Sequence, residues 1–225
     1  MNNKQAQPVI NVVDDDEEFQ IAISRLLRAA GYNVRTFTNA GEFLLADIGS
    51  TPGCILLDIC MPGPSGLDLQ QALTKQHKHL PIIFLTGYGS IPASVKAIKA
   101  GAVDFLTKPV EHQVLFNAIN NALDINKQER AINEQLATWR LRYQSLTRRE
   151  LEVFEGIIAG KRNKVIADDL GMAERTVKAH RARVMEKMGS ASLAELVHIA
   201  DQLQDAGVLK VAPSSRTESN NLTVA

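Results

Sequence analysis

Five polar residues stand at the ends of short apolar runs, and their types could do chemistry together. Asp14 and Asp15 follow Val9–Val13, a run broken only by Asn11. Asp58 follows Cys54–Leu57, Thr86 follows Pro81–Leu85, and Lys108 follows Val103–Thr107. Runs of this length and composition read as strands buried on both faces. In an open α/β sheet the carboxyl ends of such strands line the edge where ligands bind. Three carboxylates in one small pocket repel and raise each other's pKa. A hard divalent cation relieves this, and Mg²⁺ ordinarily takes one or two carboxylates together with waters and a phosphate. With a compact ammonium from Lys108 and a hydroxyl donor from Thr86, the set suits a carboxylate that attacks phosphorus while cations neutralise the developing charge. Singly, each residue has a plainer reading. Asp15 and Asp16 suit the positive end of a following helix, a Lys before Pro suits a solvated loop, and an Asp ending a strand suits a turn. Five on one edge argue for a site.

The elements that must position them follow from periodicity. Phe19, Ala22, Ile23, Leu26 and Leu27 stripe a helix that stops at Gly31. Asn33–Phe37 reads as a strand, Ala40–Ala46 and Leu67–Thr74 as helices. Ile91, Val95 and Ile98 mark a helix closing at Gly101. Val114, Leu115, Ala118, Ile119, Ala122 and Leu123 mark another that opens at Glu111. Between Asp58 and that third helix, Met61-Pro-Gly-Pro-Ser-Gly66 is dense turn chemistry. Five strands alternating with five helices predict a doubly wound parallel α/β sheet.

Beyond Leu123 a polar helical pattern continues without Gly or Pro. Ile125, Ile132, Trp139 and Leu146 recur every seven residues, with Leu136 and Tyr143 between them and Glu129 interrupting. A coiled-coil seam and an amphipathic linker helix lying on its own domain fit this about equally. Charge changes here too. Residues 1–125 carry 9 Lys/Arg against 12 Asp/Glu, and residues 126–225 carry 16 against 13. An acidic half joined to a basic half implies two domains with different partners.

In the basic half, Thr147-Arg-Arg-Glu150 is a capping box opening a helix through Ile158. Asn163–Leu170 reads as a second helix stopped by Gly171. A third runs from Thr176 to Met188, and Leu193, Leu196, Val197, Ala200 and Leu203 stripe a fourth. Val177, Val184 and Met188 share one face of the third helix, whereas Lys178, Ala179 and Ala182 point the other way. A helix with one apolar face and one basic, small-residue face is what a DNA major groove admits. By itself it also fits a solvated cationic face. Helix, tight turn and basic helix together form a helix-turn-helix.

Two resemblances join these readings. Val12-Val-Asp-Asp15, Leu57-Asp-Ile-Cys-Met-Pro62, Ser65-Gly66, Leu85-Thr-Gly87 and Lys99-Ala-Gly-Ala-Val-Asp-Phe-Leu-Thr-Lys-Pro109 resemble the receiver domain of bacterial two-component response regulators. The resemblance implies a flavodoxin-like sheet of order 2-1-3-4-5, an order for which a receiver protein is itself a standard example. It makes Asp58 the residue phosphorylated from a sensor histidine kinase's phosphohistidine. Asp15, Asp58 and the backbone carbonyl of Cys60 become Mg²⁺ ligands, and Asp14 acts through water. Thr86 and Lys108 hold the phosphoryl group, Phe105 takes the aromatic switch position, and Lys108-Pro109 is cis. Phosphorylation then draws Thr86 inward, Phe105 rotates, and the face made by residues 91–100, 103–107 and 111–123 becomes competent to form a homodimer.

Leu146-Thr-Arg-Arg-Glu-Leu-Glu-Val153, Gly160-Lys-Arg-Asn-Lys-Val-Ile-Ala167, Leu170-Gly171, Arg175-Thr-Val-Lys-Ala-His-Arg181 and Val184-Met-Glu-Lys-Met188 resemble the LuxR-type DNA-binding domain. Together the two halves are similar to a response regulator of the NarL/FixJ class, nearest its FixJ-like branch. The expected architecture is a flavodoxin-like five-stranded receiver at 8–123, a helical linker at 124–141, an all-α four-helix LuxR-type domain at 142–207 and a disordered tail at 210–225. By resemblance Lys178, Ala179 and Ala182 face bases of double-stranded promoter DNA, whereas Arg175, Thr176, Arg181 and Arg183 contact phosphates. RNA polymerase is a further implied partner, and the last helix pairs two such domains. Ala173 stands where the family often has a capping Ser, so a frayed start to the recognition helix is expected. His180 reads equally as a phosphate contact or a packing residue. His77, His79, His112 and His198 read as surface or packing residues.

Other classes fit less well. A phosphatase with a strand-end Asp nucleophile needs a second acid two residues on, where this chain has Cys60, so the chain is not read as an enzyme. No phosphate-binding Gly-rich loop is present. Cys54 and Cys60 form neither a disulfide framework nor a zinc pattern and suit a reducing compartment. No stretch is long and apolar enough to span a membrane, and the N-terminus lacks an apolar signal core. A cytoplasmic protein is expected.

Overall fold

The structure, a computed structural model, describes residues 7–48, 51–76, 80–87 and 91–209. His77, His79 and the tail read as disordered lie outside these. Among the described residues the chain divides into two compact units, 1–130 and 131–225.

The first unit is built on strands β1 (Val9–Val13), β2 (Asn33–Phe37), β3 (Gly53–Leu57), β4 (Ile82–Thr86) and β5 (Asp104–Thr107). They pair in parallel in the order β2-β1-β3-β4-β5. β3 and β4 are buried along their whole length, as unbroken apolar runs require when helices cover both faces. Helices α1 (Glu17–Ala29), α2 (Ala40–Leu45), α3 (Gly66–Lys75), α4 (Ile91–Lys99) and α5 (His112–Gln144) alternate with the strands. Two apolar clusters result. Ile55, Leu57, Phe84, Phe43 and Leu69 lie in one. Ile10, Leu56, Ile83, Leu85, Leu27, Leu115 and Ile119 lie in the other. Val114, read from sequence as an inner position, is instead exposed.

Register fixes the site. Val13 lies beside Leu57, and Thr86 beside Thr107. Asp14, Asp58 and Lys108 therefore leave their strands at one edge. The Asp58 amide donates to the Val13 carbonyl at 2.9 Å, and the Lys108 amide to the Thr86 carbonyl at 2.8 Å. The turn after β3 closes against this edge through Gly66. A Cβ there would lie 2.2 Å from the Asp58 carbonyl oxygen. At the opposite end of β3, buried Asn126 of α5 accepts the Gly53 amide at 3.0 Å.

α5 is unbroken for 33 residues. Leu115, Ala118, Ile119 and Ala122 bury against the sheet. Trp139 and Tyr143 pack in the second unit's core, and Ile132 between them is 55% exposed. The segment is a single helix whose apolar residues pack near its two ends and are solvated between them.

The second unit holds α6 (Arg148–Ile158), α7 (Asn163–Leu170), α8 (Glu174–Met188) and α9 (Leu193–Asp205) around Val153, Phe154, Ile157, Val177, Val184 and Leu196. The capping box forms: the Thr147 amide donates to Glu150 Oε2 at 2.8 Å, and the Glu150 amide to Thr147 Oγ1 at 3.4 Å. Glu150 is buried, and Lys187 Nζ donates to the same Oε2 at 2.6 Å. α8 begins two residues earlier than its apolar pattern indicated. Ala173 supplies no side-chain cap, yet the first turn is regular rather than frayed. The Ala173 carbonyl accepts from Thr176 and Val177 amides at 2.8 and 3.2 Å, and Val177 is fully buried.

Two outcomes follow. Asn126→Ala leaves the buried Gly53 amide unpaired and lowers first-unit stability by about 1–3 kcal/mol in urea unfolding. The Lys187 hydrogen bond, then the Thr147 amide, holds the Glu150 carboxyl down to about 2 from an ordinary 4.5. A group whose pKa is depressed on folding stabilises above its unfolded value and loses that contribution as pH falls through the folded one. Thermal melts of wild type should therefore weaken as pH falls from about 4.5 towards 2, and Glu150→Gln should flatten that part of the profile.

Candidate phosphoryl and metal site, and candidate nucleic-acid interface

Asp14 follows β1 and is buried, Asp58 follows β3 and is buried, and Asp15 is exposed. One oxygen from each can lie within 4.8 Å of the other two. Asp16, next in the chain, serves the helix instead, since its Oδ1 accepts the Phe19 amide at 3.0 Å and caps α1. Of the two acids that suited the helix end, Asp16 takes that role and Asp15 stays with the pocket.

Backbone contacts aim both buried carboxylates. Asp14 Oδ1 accepts the Asp16 amide at 3.1 Å, and Asp58 Oδ2 accepts the Cys60 amide at 2.9 Å. Gln20 Nε2 donates to the Asp14 carbonyl and to the Phe37 carbonyl, the latter at 2.9 Å. Lys108 Nζ lies 2.5 Å from Asp14 Oδ2 and 3.7 Å from Asp58 Oδ1. Its ammonium also sits 3.9 Å from the Phe19 ring centroid, an attractive cation–π distance. Lys108-Pro109 is cis.

Three carboxylates thus gather at this edge, two of them beside one ammonium. Burial raises the Asp58 pKa; Lys108 and the Cys60 amide oppose this, while Asp14 and Asp15 add to it. Three hard oxygen donors of one sign fit a divalent cation of the Mg²⁺ type better than a soft-ligand metal. Thr86 is fully buried at the end of β4. Phe105, on neighbouring β5, is half-buried, with its ring centroid 6.3 Å from that of Phe84. Cys60 is exposed and Cys54 buried, both as free thiols.

In the second unit α7 ends at Gly171 in the left-handed conformation, and α8 begins three residues later. Val177, Val184 and Met188 are buried. Arg175, Lys178, Ala179, Ala182 and Arg183 are exposed, and Thr176 and Arg181 half-buried. His180 is half-buried, with a buried Nδ1 that finds no hydrogen-bond partner among the described residues. Both His112 and His198 are exposed; the latter meets Trp139 edge-on at 6.2 Å.

The sequence reading missed four residues: Gln20, Asn126, Glu150 as a partner of Lys187, and Arg142, whose Nη1 donates to the Met188 carbonyl at 2.9 Å. Only Glu150 carried a local signal, its place in the capping box.

Comparison with known proteins agrees with both units. Residues 10–120 match the response regulator receiver domain, and residues 144–200 match bacterial regulatory proteins of the luxR family. The response regulator protein TmoT of Ectopseudomonas mendocina is 41% identical over 92% of this chain and 93% of its own. The transcriptional regulatory protein FixJ of Bradyrhizobium diazoefficiens is 40% identical over 85% and 93%. The solved structure of the response regulator StyR superposes with a TM-score of 0.78 at 44% identity, covering 88% of this chain and all of that one. The chain belongs to the NarL/FixJ class of response regulators. It is a phosphorylation-dependent transcriptional regulator, and the relatives named here are regulators rather than enzymes. A response regulator of this kind implies a sensor kinase upstream and DNA downstream. Among the described residues no helix is long and apolar enough to cross a membrane.

The charge balance makes a measurable claim about this regulator's pocket. In metal-free protein, carbon NMR should show Asp58 titrating above the ordinary 3.8. Asp14→Asn should move that titration down and Lys108→Met should move it up. An Asp58 that titrates at the ordinary value in all three proteins contradicts the pocket electrostatics.

Proposed function

We propose that Asp58 is the phosphoryl acceptor and that Asp14, Asp15 and Asp58, with the Cys60 carbonyl, hold Mg²⁺. The observation that carries this reading is the gathering of three carboxylates at one edge, with Lys108 Nζ beside Asp14 and 3.7 Å from Asp58 Oδ1. An Asp58 oxygen attacks the phosphorus of a kinase phosphohistidine. The phosphorus–nitrogen bond breaks, and its electron pair stays on the imidazole. When bound, the cation neutralises the carboxylates and a phosphoryl oxygen. Lys108 takes up charge on the phosphoryl group, and the Thr86 hydroxyl donates to one of its oxygens. The product carries about −1.5 to −2 of charge in place of the carboxylate's −1, and sets three acceptor oxygens beside Asp14.

That charge draws Thr86 inward and lets Phe105 turn. The readout face is α4, β5 and the start of α5. Ile91, Val95, Ile98 and Val114 are 80%, 46%, 48% and 44% exposed, a run of apolar side chains that a second receiver can cover. Receiver 8–123, linker 124–141 and DNA-binding domain 142–207 then act as a homodimer on promoter DNA. Lys178, Ala179 and Ala182 meet base edges, and Arg175, Thr176, Arg181 and Arg183 meet phosphates. RNA polymerase is the downstream partner and the cytoplasm the site of action.

Light scattering with and without acetyl phosphate and Mg²⁺ tests the switch. Wild type should pass from monomer to dimer, while Asp58→Ala and Ile91→Glu stay monomeric. A mass unchanged after full phosphorylation of Asp58 would remove receiver dimerisation from the account.

A further inference from the structure

The last turn of α8 is held by a segment that earlier chain supplies. Two of its last four carbonyls are closed by the turn itself: the Gly189 amide donates to Glu186 and the Ser190 amide to Met185, each at 3.0 Å. The Met188 carbonyl instead accepts from Arg142 Nη1 at 2.9 Å. A guanidinium at this end also meets the negative pole of the helix. Gly189 makes room for it. A Cβ at Gly189 would lie 1.9 Å from Arg142 Nη1 and 2.7 Å from its Cζ, and the backbone there has φ +67°. A second tie joins the same turn to the same segment: Lys187 Nζ donates to the Ser145 carbonyl at 3.2 Å and to Glu150 Oε2 at 2.6 Å.

The other end of α8 has no side-chain cap. Polar ties therefore fix the helix at its C-terminal end, ten residues from Lys178. At a 1.5 Å rise per residue that is about 15 Å, so a tilt of about 10° pivoting at Met188 displaces Lys178 by roughly 2–3 Å. Such a shift is enough to break a hydrogen bond to a base edge. It matters far less to a diffuse phosphate contact.

We propose that Arg142 is a positioning residue for DNA recognition, setting the angle at which α8 presents Lys178, Ala179 and Ala182. The proposal rests on the reading of α8 as the recognition helix. It is specific to sequence discrimination and leaves non-specific attraction untouched.

The test uses the full chain phosphorylated with acetyl phosphate, and two probes: the duplex that wild type selects from a random library, and an unselected duplex of equal length. Arg142→Ala and Gly189→Ala should each weaken binding to the selected duplex at least tenfold and change binding to the unselected one less than twofold. Arg142→Lys, which keeps the stem and the charge, should recover part of the loss. Affinities that fall equally on both duplexes, or do not fall, overturn the positioning role. If Arg142→Ala loses its helical circular dichroism, Arg142→Lys decides. A loss confined to the selected duplex supports the role, and wild-type affinity on both overturns it. A wild type that selects no sequence overturns the reading of α8 itself, and the positioning role with it.

Discussion

Everything in the first unit depends on one electrostatic imbalance. Asp14 and Asp58 are buried beside one ammonium, and Asp15 adds a third negative charge at the rim. Such a pocket is folded but not neutral. Parallel pairing forces it: β1, β3 and β5 must end on the same edge, so the residues after them have nowhere else to go. Burial keeps solvent from screening the charges. An edge with this imbalance suits a divalent cation, and on the proposed reading it gives an added phosphoryl group leverage on Thr86 and Phe105.

The second unit meets a different constraint, that of holding a basic helix on a small core. It does so with charges turned inward at the ends of helices. Lys187 joins the last turn of α8 to Glu150, and Arg142 takes the Met188 carbonyl. These cations order the fold, whereas Arg175, Lys178 and Arg183 stay exposed. Basic residues of one type thus divide into structural and surface roles within a single fifteen-residue helix.

The sheet and the acidic edge were legible in the sequence because they are written in local patterns. Apolar runs buried on both faces cannot be mistaken for amphipathic helices, and each ends on its polar residue. The strand order came only through family resemblance, since periodicity says nothing about which strands are neighbours. Arg142, Asn126 and the Lys187–Glu150 pair could not be read at all. Their partners lie 46, 73 and 37 residues away, and only the fold brings them together. The start of α8 was misplaced for a related reason. A missing cap at Ala173 is a local cost, and the buried Val177 outweighs it. The linker stayed ambiguous because a heptad and a helix packed at both ends leave similar residues at similar spacing.

The central claim is that the buried carboxylate at the end of β3 accepts a phosphoryl group through a site completed by a divalent cation. Intact mass and peptide mapping after incubation with acetyl phosphate, with and without Mg²⁺, test it most directly. The account predicts one phosphoryl group per chain, on Asp58, formed only when the cation is present. Labelling at another residue, or equal labelling of Asp58 after the cation is chelated, would contradict it.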